Sequence, residues 1–255
     1  GGRRLDAREQ IVAGLRRSGK APRLLYTVPT FHNPTGISLA GERRGALVEL
    51  AEAGDFVIVE DDVYRELSYD GPAPASLWSM APAGRVVRLG SFAKSLAPGL
   101  RLGWLTADAA TVARIADGGL LDSGGGVNHF TAMAVAALCE AGDFDAQVER
   151  LRAAYRERRD ALVAALREHL PPSCAVDSPA GGFFVWVRLP QGADASALLP
   201  AAERAGVSYI PGARFHLDGA GANTLRLAFS LYGPAELREA ARRLGGALSE
   251  LLGPS

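Results

Sequence analysis

Residues 55–64 read Asp-Phe-Val-Ile-Val-Glu-Asp-Asp-Val-Tyr, and this stretch decides the fold class. Its first half is a short and nearly all-apolar run, as expected of a strand that is covered on both faces. A similar run precedes it at residues 23–28, and two more follow at residues 85–90 and 102–106. Because these strands alternate with helices, we predict an α/β fold with a mostly parallel sheet.

The helix between the first two strands has recognisable ends. Ser38 can cap its start, and Leu39, Leu47 and Ala51 belong to its apolar stripe. Gly54 follows the stripe and is predicted to end the helix, since glycine is common just past the last turn.

The pattern changes after about residue 141. A long charged helix carries one apolar face, which is formed by Val148, Leu151, Tyr155, Leu162 and Leu166. Strands are then predicted at residues 183–189, 207–210 and 224–229, and a last helix begins at Pro234, a residue favoured in a first turn. We predict two domains, a large one at residues 1–141 and a smaller α+β domain at residues 142–255.

Polar side chains follow three of the predicted strands. The sequences are His32-Asn33-Pro34-Thr35-Gly36, Asp61-Asp62-Val63-Tyr64 and Ser91-Phe92-Ala93-Lys94. Ligands of open parallel sheets bind beyond the carboxyl ends of the strands, so these loops are predicted to form a binding site.

The residues of the third loop allow two interpretations each. Lys94 is either an exposed loop lysine or a desolvated amine that can form an imine with a carbonyl cofactor. Arg101 begins the next predicted strand and is either a solvated strand-edge residue or a phosphate ligand, helped by the hydroxyl of Ser91.

The residues of the other two loops also allow two interpretations each. Asp61 follows a buried run, and its carboxylate either serves a turn or pairs with a ring-nitrogen cation. Asn33 can simply initiate a turn, and Tyr64 can simply be packed, although both side chains can donate a hydrogen bond to a phenolate oxygen.

Composition excludes several classes of protein. Twenty-eight basic residues balance 28 acidic ones, so no overall field favours nucleic acid or a membrane surface. Cys139 and Cys174 show neither a pairing pattern nor a metal-ligand spacing, which fits a cytoplasmic protein without a zinc site. No apolar run is long enough to span a bilayer, and no metal spacing is formed by the four histidines, His32, His129, His169 and His216.

The motifs together resemble one family, the fold-type-I pyridoxal-phosphate (PLP) enzymes of the class I/II aminotransferase branch. The resemblance rests on Tyr-Thr-Val-Pro-Thr-Phe-His-Asn-Pro-Thr-Gly, Val-Glu-Asp-Asp-Val-Tyr-Arg-Glu-Leu, Gly-Ser-Phe-Ala-Lys-Ser-Leu-Ala-Pro-Gly-Leu-Arg-Leu-Gly-Trp, Gly-Gly-Phe-Phe-Val-Trp and Asn-Thr-Leu-Arg-Leu-Ala-Phe-Ser. It covers the whole chain in order. It implies part of a three-layer PLP-binding large domain followed by the small domain.

The resemblance also implies a role for each candidate residue. Lys94 resembles the Schiff-base lysine and proton shuttle, and Asp61 the partner of the pyridine nitrogen. Asn33 and Tyr64 resemble donors to the phenolic oxygen of the cofactor, with Asn33 also near the substrate. Ser91 and Arg101 resemble phosphate ligands. Arg226 resembles the residue that binds the substrate α-carboxylate, although from the residues alone we interpret it as a solvent-facing strand residue.

The activity implied is transfer of an amino group from an L-amino acid to a 2-oxo acid, with 2-oxoglutarate as the expected acceptor. The amino-acid sequences of the motifs resemble those of the branch that acts on 2-aminoadipate, aromatic and branched amino acids. Family members are usually homodimers, and the stretch 122–128 resembles a loop that approaches the neighbouring subunit, or it is an ordinary connection. Two alternatives stay open, a PLP-dependent β-lyase and the PLP-binding sensor domain of a helix-turn-helix regulator.

Family members usually carry a substantial segment ahead of the point where this sequence starts. That segment supplies a further phosphate-binding loop and an aromatic residue stacked on the cofactor. We therefore expect an N-terminally incomplete chain with weak or absent activity on its own.

Overall fold

The computed structural model describes residues 3–252, with side chains from Gln10 onward. Its contacts divide the chain into two units. The first unit holds Gly1–Thr30, Ser38–Glu66 and Ala73–Val148, and the second holds Phe31–Ile37, Leu67–Pro72 and Glu149–Ser255. The domain division predicted between residues 141 and 142 stays a prediction.

The first unit is built around a four-stranded sheet. The strands are β1 (Leu24–Thr27), β2 (Val57–Asp61), β3 (Val86–Ser91) and β4 (Gly103–Thr106), in that order across the sheet. The first three strands run parallel, as the alternation of strands and helices predicts.

Strand β4 runs antiparallel to β3, and its direction differs from that of the other strands. Only residues 92–102 separate the two strands, and they form a four-residue helix and a short 3-10 turn, Pro98–Leu100. A parallel crossover needs a dozen or more residues, usually with a full helix, so this connection can only reverse the chain.

The first unit also contains seven helices among the described residues, which precede, separate and follow these strands along the chain. They are α1 (Arg3–Arg17), α2 (Gly41–Gly54), α3 (Leu77–Met80), α4 (Phe92–Ser95), α5 (Ala109–Ala116), α6 (Gly119–Asp122) and α7 (His129–Glu140). A buried core forms where α2 and α3 pack on the sheet; it consists of Leu47, Val48, Ala51, Phe56, Ile58, Leu77 and Val86.

The start of α2 differs from the prediction. Ser38 does not cap it, because the helix begins at Gly41 and its N-cap is Ala40, without a side-chain hydrogen bond. The backbone of Leu39 is instead bonded to the loop that follows β1, since its N–H donates to the carbonyl of Pro29 at 2.7 Å. The predicted end at Gly54 is confirmed, with Asp55 in the left-handed conformation after it.

The second unit contains an antiparallel sheet. Its strands are β5 (Ala175–Val176), β6 (Phe184–Arg188), β7 (Ile210–Pro211) and β8 (Thr224–Ala228), in the order β5-β6-β8-β7. Its helices are α8 (Asp143–His169), which contains the boundary between the units, α9 (Ala195–Arg204) and α10 (Pro234–Leu252). The predicted long helix and the start at Pro234 are confirmed, whereas the strand predicted at 207–210 shrinks to two residues.

None of the helices within residues 3–252 combines the length and the apolar character that crossing a membrane would require.

The antiparallel pair of β3 and β4 generates a stability prediction. Gly90 lies opposite Trp104 in the register, and a Cβ at position 90 would come within 2.1 Å of the Trp104 ring. We expect Gly90→Ala to lower the free energy of unfolding by about 1–3 kcal/mol, because the ring must move. Urea denaturation followed by tryptophan fluorescence measures this loss.

Gly99→Ala is the matched control, since a Cβ there meets nothing within 4 Å. Equal denaturation midpoints for Gly90→Ala and the parent chain would contradict the predicted overlap.

Candidate active site

Lys94 lies on the short helix α4, directly after strand β3, and its side chain is half-buried. The sequence contains only one other lysine, Lys20. Ser91, the last residue of β3, caps this helix, and its Oγ accepts a hydrogen bond from the N–H of Ala93 at 3.1 Å. The Ser91 hydroxyl hydrogen is not used in that bond, so a ligand can accept it. Ser91, at the end of β3, therefore fixes the start of the helix that carries Lys94.

Asp61 lies at the carboxyl end of the neighbouring strand β2 and is half-buried. It pairs with Leu89 of β3, two residues before Ser91, so the structure brings both predicted residues to one edge of the sheet. One carboxylate oxygen of Asp61 accepts a hydrogen bond from the Tyr26 hydroxyl, and the other accepts from the N–H of Val63 at 3.4 Å. The buried run before Asp61 signalled that the carboxylate needs a partner, but not that Tyr26 is one.

Tyr64 is buried in the turn after β2. Burial, the Asp61 carboxylate and, to a smaller extent, the Tyr64 phenol all raise the pKa of Tyr26. Tyr64 therefore belongs to the same edge of the sheet as Asp61.

Arg101 is exposed and lies in the turn before β4, not at the start of a strand as predicted. Its φ of 51° is left-handed, a conformation that a strand residue does not adopt. The guanidinium donates to the carbonyl of Pro98 at 3.5 Å, the limit of a hydrogen bond. Such an exposed cation can bind an anion such as phosphate.

Asn33 and Arg226 meet in the second unit. Nη1 of Arg226, at the centre of β8, donates to Oδ1 of Asn33 at 2.6 Å. The guanidinium lies 4.2 Å from the ring centroid of Phe184 and 5.1 Å from that of Phe215. Arg226 is half-buried, so its interpretation as a solvent-facing residue is wrong. Stacked guanidinium groups suit the planar recognition of carboxylates.

The candidate residues thus fall into two groups, each within one unit. Asp61, Ser91 and Lys94 gather at the carboxyl ends of β2 and β3, with Tyr64 and Arg101 in the turns nearby in sequence. Asn33 and Arg226 form a hydrogen-bonded pair in the second unit. In the described part of the chain, no group of three or more His, Cys, Asp or Glu side chains is arranged to hold a metal ion.

The sequence interpretation missed a buried ion pair next to this edge. Arg44 of α2 and Glu60 of β2 are fully buried, and their charged groups lie 3.8 Å apart. Burial raises the pKa of the Glu60 carboxyl, whereas the N–H groups of Leu77 and Trp78, which donate to it, act in the opposite direction. The signal was present, because Arg44 shares a helix face with Leu47.

Arg44 also organises the backbone around the loop that follows β1. Its guanidinium donates to four acceptors, which are the carbonyls of Leu39, Ala75 and Pro29 and the hydroxyl of Thr30. Pro29 and Leu39 are close to the two ends from which the segment Phe31–Ile37 emerges. One buried cation therefore joins the residues of the first unit that precede and follow this segment in the sequence.

The sequence of the chain matches a known protein family. The family model described as "Aminotransferase class I and II" matches residues 9–244. The chain belongs to this family. The α/β fold with a partial large domain, expected from the sequence, is confirmed by the structural neighbours of this chain.

Individual relatives have different described functions. The aromatic-amino-acid aminotransferase 1 of Thermococcus litoralis is 35% identical over 98% of this chain and 60% of its own length. The transcriptional regulator TauR of Rhodobacter capsulatus, of the helix-turn-helix type, is 40% identical over 89% of this chain and 46% of its own length.

A solved structure gives the same picture. The α-aminoadipate aminotransferase of Thermus thermophilus, in complex with N-(5'-phosphopyridoxyl)-L-leucine, has a TM-score of 0.87 and 35% identity. The match covers 98% of this chain and 63% of that one. This chain of the aminotransferase family thus spans about three fifths of the length of the aminotransferases to which it is similar.

The buried ion pair leads to a prediction. We expect Arg44→Met to lower the free energy of unfolding by about 3–5 kcal/mol, because it leaves Glu60 buried without its cation and four acceptors without a donor. Urea denaturation measures the effect. Arg43→Met, on the same helix but only half-buried, is the control and should cost about 0.5 kcal/mol or less.

Glu60→Gln in the Arg44→Met background should recover part of the loss, since the two residues are coupled. Strictly additive effects of the two substitutions would contradict the coupling.

Proposed function

We propose that this chain is part of a PLP-dependent aminotransferase that moves an amino group from an L-amino acid to a 2-oxo acid, with 2-oxoglutarate as acceptor. One observation carries the proposal. The amine of Lys94 is half-buried at the carboxyl end of β3, next to the strand end that carries Asp61, in a chain of the aminotransferase family.

The side chains of the first unit fit the chemical groups of PLP. An aldehyde needs an amine, which Lys94 has, and a pyridinium nitrogen needs a carboxylate, which Asp61 has. The phosphate needs a hydroxyl donor and a cation, which are available from Ser91 and Arg101. The phenolic oxygen needs a donor such as Tyr64. This donor set supports the cofactor assignment.

When bound, PLP would supply an electron sink for charge from the amino acid Cα. Nζ of Lys94 would bind the aldehyde carbon and, once displaced by the substrate amine, would accept the proton from Cα. The carboxylate of Asp61 would hold a proton at the ring nitrogen, because an adjacent anion favours a cation.

We propose that Arg226 binds the substrate α-carboxylate. Its guanidinium contacts the rings of Phe184 and Phe215, and Nη1 donates a hydrogen bond to the amide oxygen of Asn33. A guanidinium held by such contacts loses less entropy on binding and orients its donors towards a planar partner.

Two other functions would use similar residues. The 40% identity to TauR favours, as a second candidate, a PLP-binding sensor domain of a helix-turn-helix regulator. A PLP-dependent β-lyase would need the same lysine and carboxylate. Formation of a 2-oxo acid, together with conversion of PLP to its amine form, favours the aminotransferase over both.

Lysine chemistry provides the direct test. With only two lysines in the sequence, borohydride reduction after incubation with PLP should fix a pyridoxyl group on Lys94. Mass spectrometry of the peptides measures the label, which should vanish in Lys94→Ala. The matched control Lys20→Ala should keep it, and a label on Lys20 alone would contradict the proposal.

We also propose a cytoplasmic homodimer, as the family resemblance implies. Helix α7 supports self-association, because Phe130, Met133 and Leu138 are exposed in the single chain, with Phe130 and Met133 one turn apart on the helix. Phe130 is 83% exposed. Apolar faces of this kind mark interaction surfaces, and an uncharged face can meet its own copy without repulsion.

The α7 face gives a further prediction. Phe130→Glu combined with Met133→Glu should shift the protein from dimer to monomer, because two carboxylates would be buried at the interface. Sedimentation velocity measures the change. Leu217→Glu, which alters a fully exposed leucine in a loop, is the control and should leave the oligomeric state unchanged. A dimer that persists in the double variant would exclude α7 from the interface.

A further inference from the structure

The register of the parallel sheet places Tyr26 beside Asp61. Tyr26 of β1 pairs with Val59 of β2, and Asp61 lies two residues further along β2. Alternate residues of a strand share a face, so Val59 and Asp61 project to the same side of the sheet. The long tyrosine side chain spans the two-residue offset, and its hydroxyl donates to Oδ2 of Asp61.

Both oxygens of the Asp61 carboxylate are engaged. Oδ2 accepts from the Tyr26 hydroxyl, and Oδ1 lies 3.4 Å from the N–H of Val63 in the following turn. A carboxylate oxygen has more than one acceptor site, so each can still bind a ligand donor. The two contacts hold the carboxylate plane between a neighbouring strand and its own turn.

The Tyr26 side chain is suited to this contact and to little else. It is 56% exposed, so its ring contributes little to the core. Although more than half of the residue is exposed, its partial burial and the neighbouring Asp61 carboxylate raise the pKa of Tyr26, so the hydroxyl stays protonated and able to donate.

We propose that Tyr26 is a positioning residue that fixes the Asp61 carboxylate for the ring nitrogen of the cofactor. The inference rests on the proposed function, because it assumes that Asp61 binds that nitrogen. It goes further by assigning a role to a residue of β1, outside the loops that follow the strands.

The proposed role of the Tyr26–Asp61 hydrogen bond depends on the ring nitrogen of the cofactor. If Tyr26 acts through Asp61 on the ring nitrogen, its hydroxyl matters only when that nitrogen is present. The 1-deaza analogue of PLP, which carries a carbon in place of the ring nitrogen, keeps the aldehyde and phosphate. Binding of the analogue should therefore be insensitive to Tyr26.

The experiment compares the dissociation constants of PLP and of its 1-deaza analogue for the full chain, measured by absorbance titration. Tyr26→Phe should weaken PLP binding roughly three- to tenfold, the effect of one hydrogen bond, and leave binding of the analogue unchanged. Tyr232→Phe is the matched control, since Tyr232 is 55% exposed, and it should change neither constant. In an Asp61→Ala background, Tyr26→Phe should have no further effect.

Each outcome decides between the two claims. Weaker binding of PLP alone supports the positioning role. Equal loss for both cofactors, or no loss for either, overturns it while leaving the proposed function intact. If the pyridoxyl label does not depend on Lys94, the proposed function fails and this inference with it. Thermal unfolding of the cofactor-free variants verifies folding, and Asp61→Asn tests the same contact from its other side.

Discussion

A single buried cation constrains the part of the fold on which the candidate site depends. The guanidinium of Arg44 is shielded from water and is satisfied by four oxygen acceptors and the carboxylate of Glu60. Charge buried in this way is tolerated only if its partners stay in place. Helix α2, the end of β1 and the start of α3 are therefore held together. Asp61 follows Glu60 directly, so the bonds of Glu60 also restrain the backbone at Asp61.

The sequence predicted those helices and strands whose apolar residues follow a regular pattern. The apolar run before Asp61 predicted a parallel strand, and Pro234 predicted the start of the last helix; both are confirmed. Ser38 failed as a cap because the backbone of Leu39 is bonded to Pro29, ten residues earlier, a contact that the helix pattern does not show. The direction of β4 follows from the short connection after β3, a length that the predicted bounds 85–90 and 102–106 already contained.

The candidate site divides in the same manner. Lys94 and Ser91 could be placed from one local stretch, because a strand end fixes both. Tyr26 could not, since its contact with Asp61 depends on the register between two strands. Arg226 reaches Asn33 across 193 positions of sequence, and only the family resemblance pointed to it. Residues that act through long-range contacts leave no local pattern.

Strand β1 has a consequence for how the molecule behaves in solution. It lies at the rim of its sheet, with one strand neighbour among the described residues, and Leu24 and Tyr26 are open to solvent. A rim of this kind can template the addition of a foreign strand and so lead to aggregation. Arg23 precedes the strand and Pro29 follows it shortly after. Such residues oppose sheet extension, so we expect Arg23 and Pro29 to limit aggregation through this rim at high concentration.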